Sequence, residues 1–500
     1  MKIQVGVVLL LMASVSVAGA EDWPMYGRTP HHPFASQDSA IDTSNVNSLA
    51  LAWTFTPGDA VSASPAIVDG ALYVGAWDGY FYSLDARTGN LRWKFQLDCD
   101  ALSLPQPAVC VAQGYPASDP AVRQGTDGGT VASSAAVVDG VVYFGGEKTL
   151  YALRASDGHL LWKRVLCGNP DARACERDAN DPARIFSSPV VYHGKVFVAS
   201  DVDGGVGYRG RIWAIDAYDG HTAWAFEVDP QVDTHGHVLP GPAQNRGCGD
   251  VWSSAAIDEA HDRVIFGTAD CQSFATAPYH NAIVALDADC GRLAWKYRPI
   301  PSNNGCDFDF GASPNVIDVD GERWIGEGNK NGTYYVVRAN DGSPVWSTNV
   351  VFGGADGGFI GTAAFDGSSV FESTLYGDGY LGAAPLCEPD NANDTYLEDP
   401  SMHAFDLRTG AVLWQQPASY SAAATTVTHD LVIDGTNGLG AELASAVQFF
   451  DRKTGAIVRQ LPQTGSVASA AVIVDDTIYF GTGNSYDGGG SSIQAWRLAR

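Results

Sequence analysis

Between residues 84 and 459 one short arrangement of apolar and polar positions recurs: LDARTGNLRW (84–93), LRASDGHLLW (153–162), IDAYDGHTAW (215–224), LDADCGRLAW (286–295), VRANDGSPVW (337–346), FDLRTGAVLW (405–414) and FDRKTGAIVR (450–459). Apolar residues flank a polar centre, and each copy carries glycine at the same place, from Gly89 to Gly455. A polar pair followed by glycine suits a tight turn with positive φ, and the flanks alternate or run apolar as strands do. Each copy therefore predicts a hairpin of two strands, C and D. Two further strand-like runs precede it, most clearly in SASPAIVDGALYVGA (62–76), SSAAVVDGVVYFGG (133–146) and SSPVVYHGKVFVAS (187–200). These predict strands A and B.

Units of about 40 to 70 residues with four strands each predict a β-propeller. The chain ends settle the blade count. After Arg459 another unit starts at SAAVIVDDTIYFGTG (469–483), and its third strand, SSIQAWRLAR, ends the chain. The run LALAWTF (49–55), with Trp53 in the tryptophan place, supplies the missing strand D. The expectation is an all-β, eight-bladed propeller of four-stranded blades, closed by an N-terminal strand that completes the last blade. Closure removes the open edges that an incomplete sheet leaves.

Charge and chain termini narrow the class. Lys2, the apolar stretch Val5 to Val17 and the small residues Ala18-Gly19-Ala20 have the form of a secretory signal peptide, which predicts residues 1–20 as leader and 21–500 as one domain. No cysteine follows the cleavage point, so a soluble periplasmic or secreted protein is expected. The net charge of -27 argues against nucleic acid and anionic membranes, and favours cations or a basic partner. Among the 9 cysteines, no C-x-x-C-H occurs, which argues against covalent haem. The pairs Cys99/Cys110 and Cys167/Cys175 lie close in sequence and are disulfide candidates, whereas Cys290 sits in a C–D turn and is expected to be the unpaired thiol. His31 and His32, like His235 and His237, read as surface histidines of polar loops.

Function follows from topology. In a four-stranded blade, strand A lines the central channel, and its start shares one face of the ring with the end of strand B. Blades four and five place Trp252 and Asp309 at the starts of strand A, with Asp270 and Lys330 at the ends of strand B. An aromatic face, two carboxylates and an ammonium on one rim suit a flat anionic ligand bound with a metal.

The decapeptide with its terminal tryptophan resembles the repeat of pyrroloquinoline-quinone (PQQ) propellers over residues 49 to 500, and in that family the tryptophans pack blade against blade. The rim segments resemble quinoprotein alcohol dehydrogenases, especially the polyvinyl-alcohol dehydrogenase branch. The resemblance implies a PQQ- and Ca²⁺-dependent oxidation of an alcohol, including polyols and polymeric alcohols, with electrons passed to a separate acceptor such as a cytochrome c. By the same resemblance, Trp252 stacks on the cofactor and Asp309 is the general base. Lys330 and Asn331 of the KNG motif contact the quinone, Phe359 lies beside it, and Asp270, Asp309 and Asp203 serve the metal. The sequence also departs from the family. It has no vicinal cysteine pair, and Ser133, Gly205 and Ile360 stand where the family has Arg, Glu and Trp. A propeller of this repeat type also serves as a cofactor-free scaffold in outer-membrane protein assembly, and a glycan-binding propeller is a third reading. The insertions 98–130, 226–250 and 376–400 are expected to roof the ligand face.

Overall fold

The computed structural model describes residues 22–97, 131–169, 181–202, 208–228, 250–269, 279–300, 307–351, 353–354, 357–375, 401–417, 421–437, 445–484 and 489–499. Within them, eight sheets follow one another around a ring. Blade four is typical, with strands Ala256–Asp258, Arg263–Gly267, Ile283–Asp287 and Leu293–Tyr297 in antiparallel order. In blade eight, Val472–Val474, Thr477–Thr482 and Ser492–Leu498 are completed by Leu49–Phe55, which pairs antiparallel with Ser492–Leu498. The ring is closed as the sequence pattern requires.

The repeated tryptophan and glycine form one device between blades. The Trp295 Nε1 donates to the Ala339 carbonyl of the next blade at 2.7 Å, and its ring lies on Gly342. A Cβ on Gly342 would stand 2.6 Å from that ring, and the residue has φ +71. Both space and backbone therefore demand glycine. Trp53, Trp93, Trp162, Trp224, Trp346 and Trp414 dock in the same way onto the following blade. Arg459, the one departure from tryptophan, now has a reason. Its neighbour is blade eight, where chain ends replace the C–D turn and no turn glycine exists to stack upon. The guanidinium instead donates to the Val46 carbonyl and to the Leu49 carbonyl, the latter at 2.7 Å, pinning the closing strand.

Serine and threonine side chains lock the channel wall. Ser64, Ser134, Ser188 and Ser254 each donate their backbone N–H to the hydroxyl of the equivalent residue one blade on, at 2.8 to 3.1 Å. Ser313 continues the series to Thr362, and Ala470 closes it onto Ser64.

Residues 22–36, where the sequence singles out only His31 and His32, plug this channel. Trp23 exchanges both backbone hydrogen bonds with Ile67 at 2.8 Å. The carbonyls of Pro24, Pro30, His31, Pro33 and Phe34 then accept from Val137, Ile257, Val316, Phe365 and Val427. The otherwise open inner edges of strand A are thereby paired. His32 corrects the expectation of a surface histidine. It is 1% exposed, its Nδ1 lies 3.1 Å from the Pro314 carbonyl, and burial lowers its pKa to about 4. His235 and His237 lie outside the described residues.

Other expectations are met or fall outside what is described. Cys290 is an exposed free thiol. Cys167 is disulfide-bonded, while Cys99, Cys110 and Cys175 lie outside the described residues, as does the proposed leader. Almost all of the three long insertions falls there too. Among the described residues, no helix is long and apolar enough to cross a membrane.

Candidate functional site

In every blade where both residues are described, a residue just past strand B hydrogen-bonds to the residue six places before strand A begins. In blade five this bond joins the Lys330 N–H to the Asp309 carbonyl at 2.9 Å. It brings their side chains together at the channel mouth. Lys330 Nζ lies 3.3 Å from Asp309 Oδ2 and 2.9 Å from Asp307 Oδ2. Lys330 and Asp309 are buried, and Asp307 is partly exposed. Burial alone disfavours the ammonium, but Asp309 and Asp307 outweigh it and hold the Lys330 pKa above the usual lysine value, so it stays charged.

Trp252 enters this cluster from blade four. Its Nε1 is 3.2 Å from Asp309 Oδ2, and Lys330 Nζ stands 5.9 Å from the centroid of its ring. The half-buried indole lies across Gly311, where a Cβ would meet Trp252 Cη2 at 1.9 Å. Glycine there is what allows the ring to lie flat on the rim. Asp307 carries φ +52, a left-handed conformation that aspartate adopts more readily than most non-glycine residues.

The remaining sequence candidates divide clearly. Asn331 is a turn residue, its Oδ1 accepting from the Thr333 N–H at 2.9 Å and its Nδ2 donating to Tyr335 Oη. Phe359 is fully buried among Tyr334, His403 and Phe405, so it belongs to the blade core. The half-buried Ile360, beside it, holds the register that Trp252 holds in blade four. Ser133 is buried, with its hydroxyl accepting from the Gly145 N–H. Asp270 and Asp203 lie outside the described residues. Among the described residues, no group of three or more His, Cys, Asp or Glu is arranged to hold a metal ion.

Sequence reasoning also missed a row of carboxyls below the rim. Glu327, Glu372 and Asp434 occupy the same register on strand B of blades five, six and seven, where Val74, Phe144, Val198, Phe266 and Phe480 stand in the others. All three are buried, and neither oxygen of Glu327 or Glu372 has a hydrogen-bond partner among the described residues. Burial raises all three pKa values, that of Asp434 to about 8. Acidic residues inside the runs WIGEGN, VFEST and VIDGT were the available signal.

The rim fits a flat anionic ligand. It presents an indole plane kept open by a glycine, a charged ammonium beside it, and Asp307 and Asp309 within reach.

Comparison with known proteins identifies the family. A family model described as the glucose/ethanol/alcohol dehydrogenase β-propeller domain matches residues 23–351, a span that includes Trp252, Asp309 and Lys330. A second model, for the outer membrane protein assembly factor BamB, matches residues 279–497. The chain is 24% identical to a polyvinylalcohol dehydrogenase of Sphingopyxis over 80% of its own length and 59% of that protein's. It is 28% identical to a quinohemoprotein alcohol dehydrogenase of Pseudomonas putida over 66% of its length and 46% of the relative's. The chain thus spans about half to three fifths of these relatives. The crystal structure of the quinohemoprotein alcohol dehydrogenase from Comamonas testosteroni shares the fold, with TM-score 0.71 and 20% identity over 96% of this chain and 81% of that one. The chain belongs to the glucose/ethanol/alcohol dehydrogenase β-propeller domain family.

Proposed function

We propose that this propeller is a PQQ-dependent dehydrogenase that oxidises an alcohol and passes the electrons to a separate acceptor. The observation that carries this reading is the joint placement of Trp252, Asp309 and Lys330 on one rim. When bound, PQQ supplies the electron-pair acceptor for the hydrogen on the carbinol carbon. Trp252 would offer a plane for the cofactor to stack on, and Lys330 would hold negative charge beside it. Asp309 takes the proton of the substrate hydroxyl, acting as general base. An alcohol loses two electrons and two protons in becoming a carbonyl, so the base and the acceptor together balance the reaction.

Calcium is the metal this reading asks for, because oxygen donors suit a hard cation. Asp309, Asp270 and Asp203 would be its ligands, all three assigned by resemblance. The substrate class includes polyols and polymeric alcohols, by likeness to the polyvinylalcohol dehydrogenase. A cytochrome c is the proposed acceptor, and the acidic surface steers a basic one. The leader-like N-terminus and the disulfide at Cys167 suit the periplasm or the exterior. The second reading, a cofactor-free scaffold, draws on the match of residues 279–497 to the assembly factor. That match leaves out Trp252.

The test is dye reduction by the purified protein with PQQ, Ca²⁺ and a panel of alcohols, alongside Asp309→Ala. Turnover that is lost in the variant supports the enzyme. PQQ-independent behaviour in both proteins supports the scaffold.

A further inference from the structure

The rim of blade five has a counterpart in blade three with its charges exchanged. Arg184 lies six residues before strand A of blade three, which begins at Val190. Asp309 lies six before strand A of blade five, which begins at Asn315. Arg184 is therefore at the register of Asp309, and by the same reckoning Asp201 is at the register of Lys330. The backbone repeats as well. Arg184 and Asp201 exchange both of their hydrogen bonds, at 2.8 and 2.9 Å, where blade five has the Lys330 to Asp309 bond.

The two blades are joined through blade four. The Val202 N–H donates to Asp250 Oδ1 at 3.2 Å, and the Ala269 N–H to the Asp250 carbonyl at 2.8 Å. The Phe310 N–H then donates to the Thr268 carbonyl at 3.2 Å. One continuous, hydrogen-bonded rim thus runs from Arg184 to Lys330, and Trp252 stands between them on the middle blade. Arg184 is half-buried, and it stands on this rim at the register that Asp309 holds in blade five.

The geometry points to Arg184 as a second anion-binding group of this site, which takes a carboxylate on the edge of the ligand opposite to Lys330. The inference rests on reading the rim as a quinone site, and it names the ligand class more narrowly. The ligand is a flat aromatic polyanion, with negative groups on opposite edges, resting on Trp252 between a guanidinium and an ammonium. An arginine fork matches a carboxylate in two-point geometry, which fixes the ligand's orientation as well as its charge.

Two probes separate this inference from the cofactor reading: PQQ, followed by tryptophan quenching, and benzene-1,2,4,5-tetracarboxylate, followed by calorimetry. Arg184→Gln should weaken both by roughly 10- to 100-fold, the loss expected of one charge-assisted pair. Arg184→Lys should recover part of the affinity, and circular dichroism should show all three proteins folded. PQQ bound equally by wild type and Arg184→Gln overturns the role of Arg184 and leaves the cofactor reading intact. Binding of the tetracarboxylate alone, lost in Arg184→Gln, supports the anion site and removes PQQ as its occupant. Binding of neither probe by the wild type overturns both.

Discussion

Gly311 offers the sharpest test of the indole platform. A Cβ there would meet Trp252 Cη2 at 1.9 Å and Cζ2 at 2.2 Å, and carbon atoms rest in contact at about 3.5 to 4.0 Å. In Gly311→Ala the half-exposed ring must therefore retreat by about 1.5 Å or more. Gly311 is not among the residues with positive φ, so alanine itself is backbone-compatible. Retreat breaks the 3.2 Å bond from Trp252 Nε1 to Asp309, worth about 1 kcal/mol net, and spoils a stack worth about 1 kcal/mol more. A total near 2 kcal/mol predicts PQQ binding weakened about 30-fold. Fluorescence titration gives the affinity, and a thermal melt monitors the fold. An unchanged affinity in a folded variant refutes the platform role of Trp252.

Three further outcomes follow from the packing. Gly342→Ala and Gly70→Ala impose the same backbone strain, at φ +71 and +68, but only Gly342 lies under a tryptophan. Chemical denaturation should therefore show Gly342→Ala the less stable by about 1 to 3 kcal/mol, and equal losses would contradict tryptophan docking as the blade-to-blade lock. Arg459→Ala removes the clamp on Val46 and Leu49, so limited proteolysis around residues 41–48 should quicken, whereas an unchanged rate would place ring closure elsewhere. The raised pKa of Asp434, about 8, means that the native state holds its proton more tightly than the unfolded chain. Its contribution is present at acid pH and is lost as pH rises from about 4 toward 8, at up to roughly 1.4 kcal/mol per pH unit. Urea melts across that range should show a flatter pH dependence in Asp434→Asn, and an identical slope would assign the effect to other groups.

The repeat made the propeller legible because each blade states its own hairpin, with glycine at a turn that tolerates little else. Even Arg459 was visible as a departure, although its partner was not, since Val46 and Leu49 are more than four hundred residues away in the chain. The plug at residues 22–36 was hidden for a different reason. It pairs by backbone hydrogen bonds with strand A of several blades, and such bonds leave no side-chain pattern. His32 looked like a loop histidine because nothing local announces the channel around it. At the site, Trp252, Asp309 and Lys330 were legible from topology, since strand A starts and strand B ends share a face. Phe359 shows the limit of that approach. A shift of one residue along an extended segment turns a side chain to the opposite side, so Phe359 enters the core while Ile360 takes the rim register. The carboxyl row was missed because each acid was read as one polar residue in its own strand. Alignment of the blades by strand pairing is what reveals Glu327, Glu372 and Asp434 as one feature.

The central claim is that the blade-four and blade-five rim binds PQQ. Calorimetric titration of the purified protein with PQQ, in Ca²⁺ and again in chelator, tests it most directly. The account predicts one saturable site per chain in Ca²⁺, weakened by chelation and lost in a Trp252→Ala, Lys330→Gln double variant that remains folded. Absence of saturable binding by the wild type, or equal binding by the double variant, would contradict it.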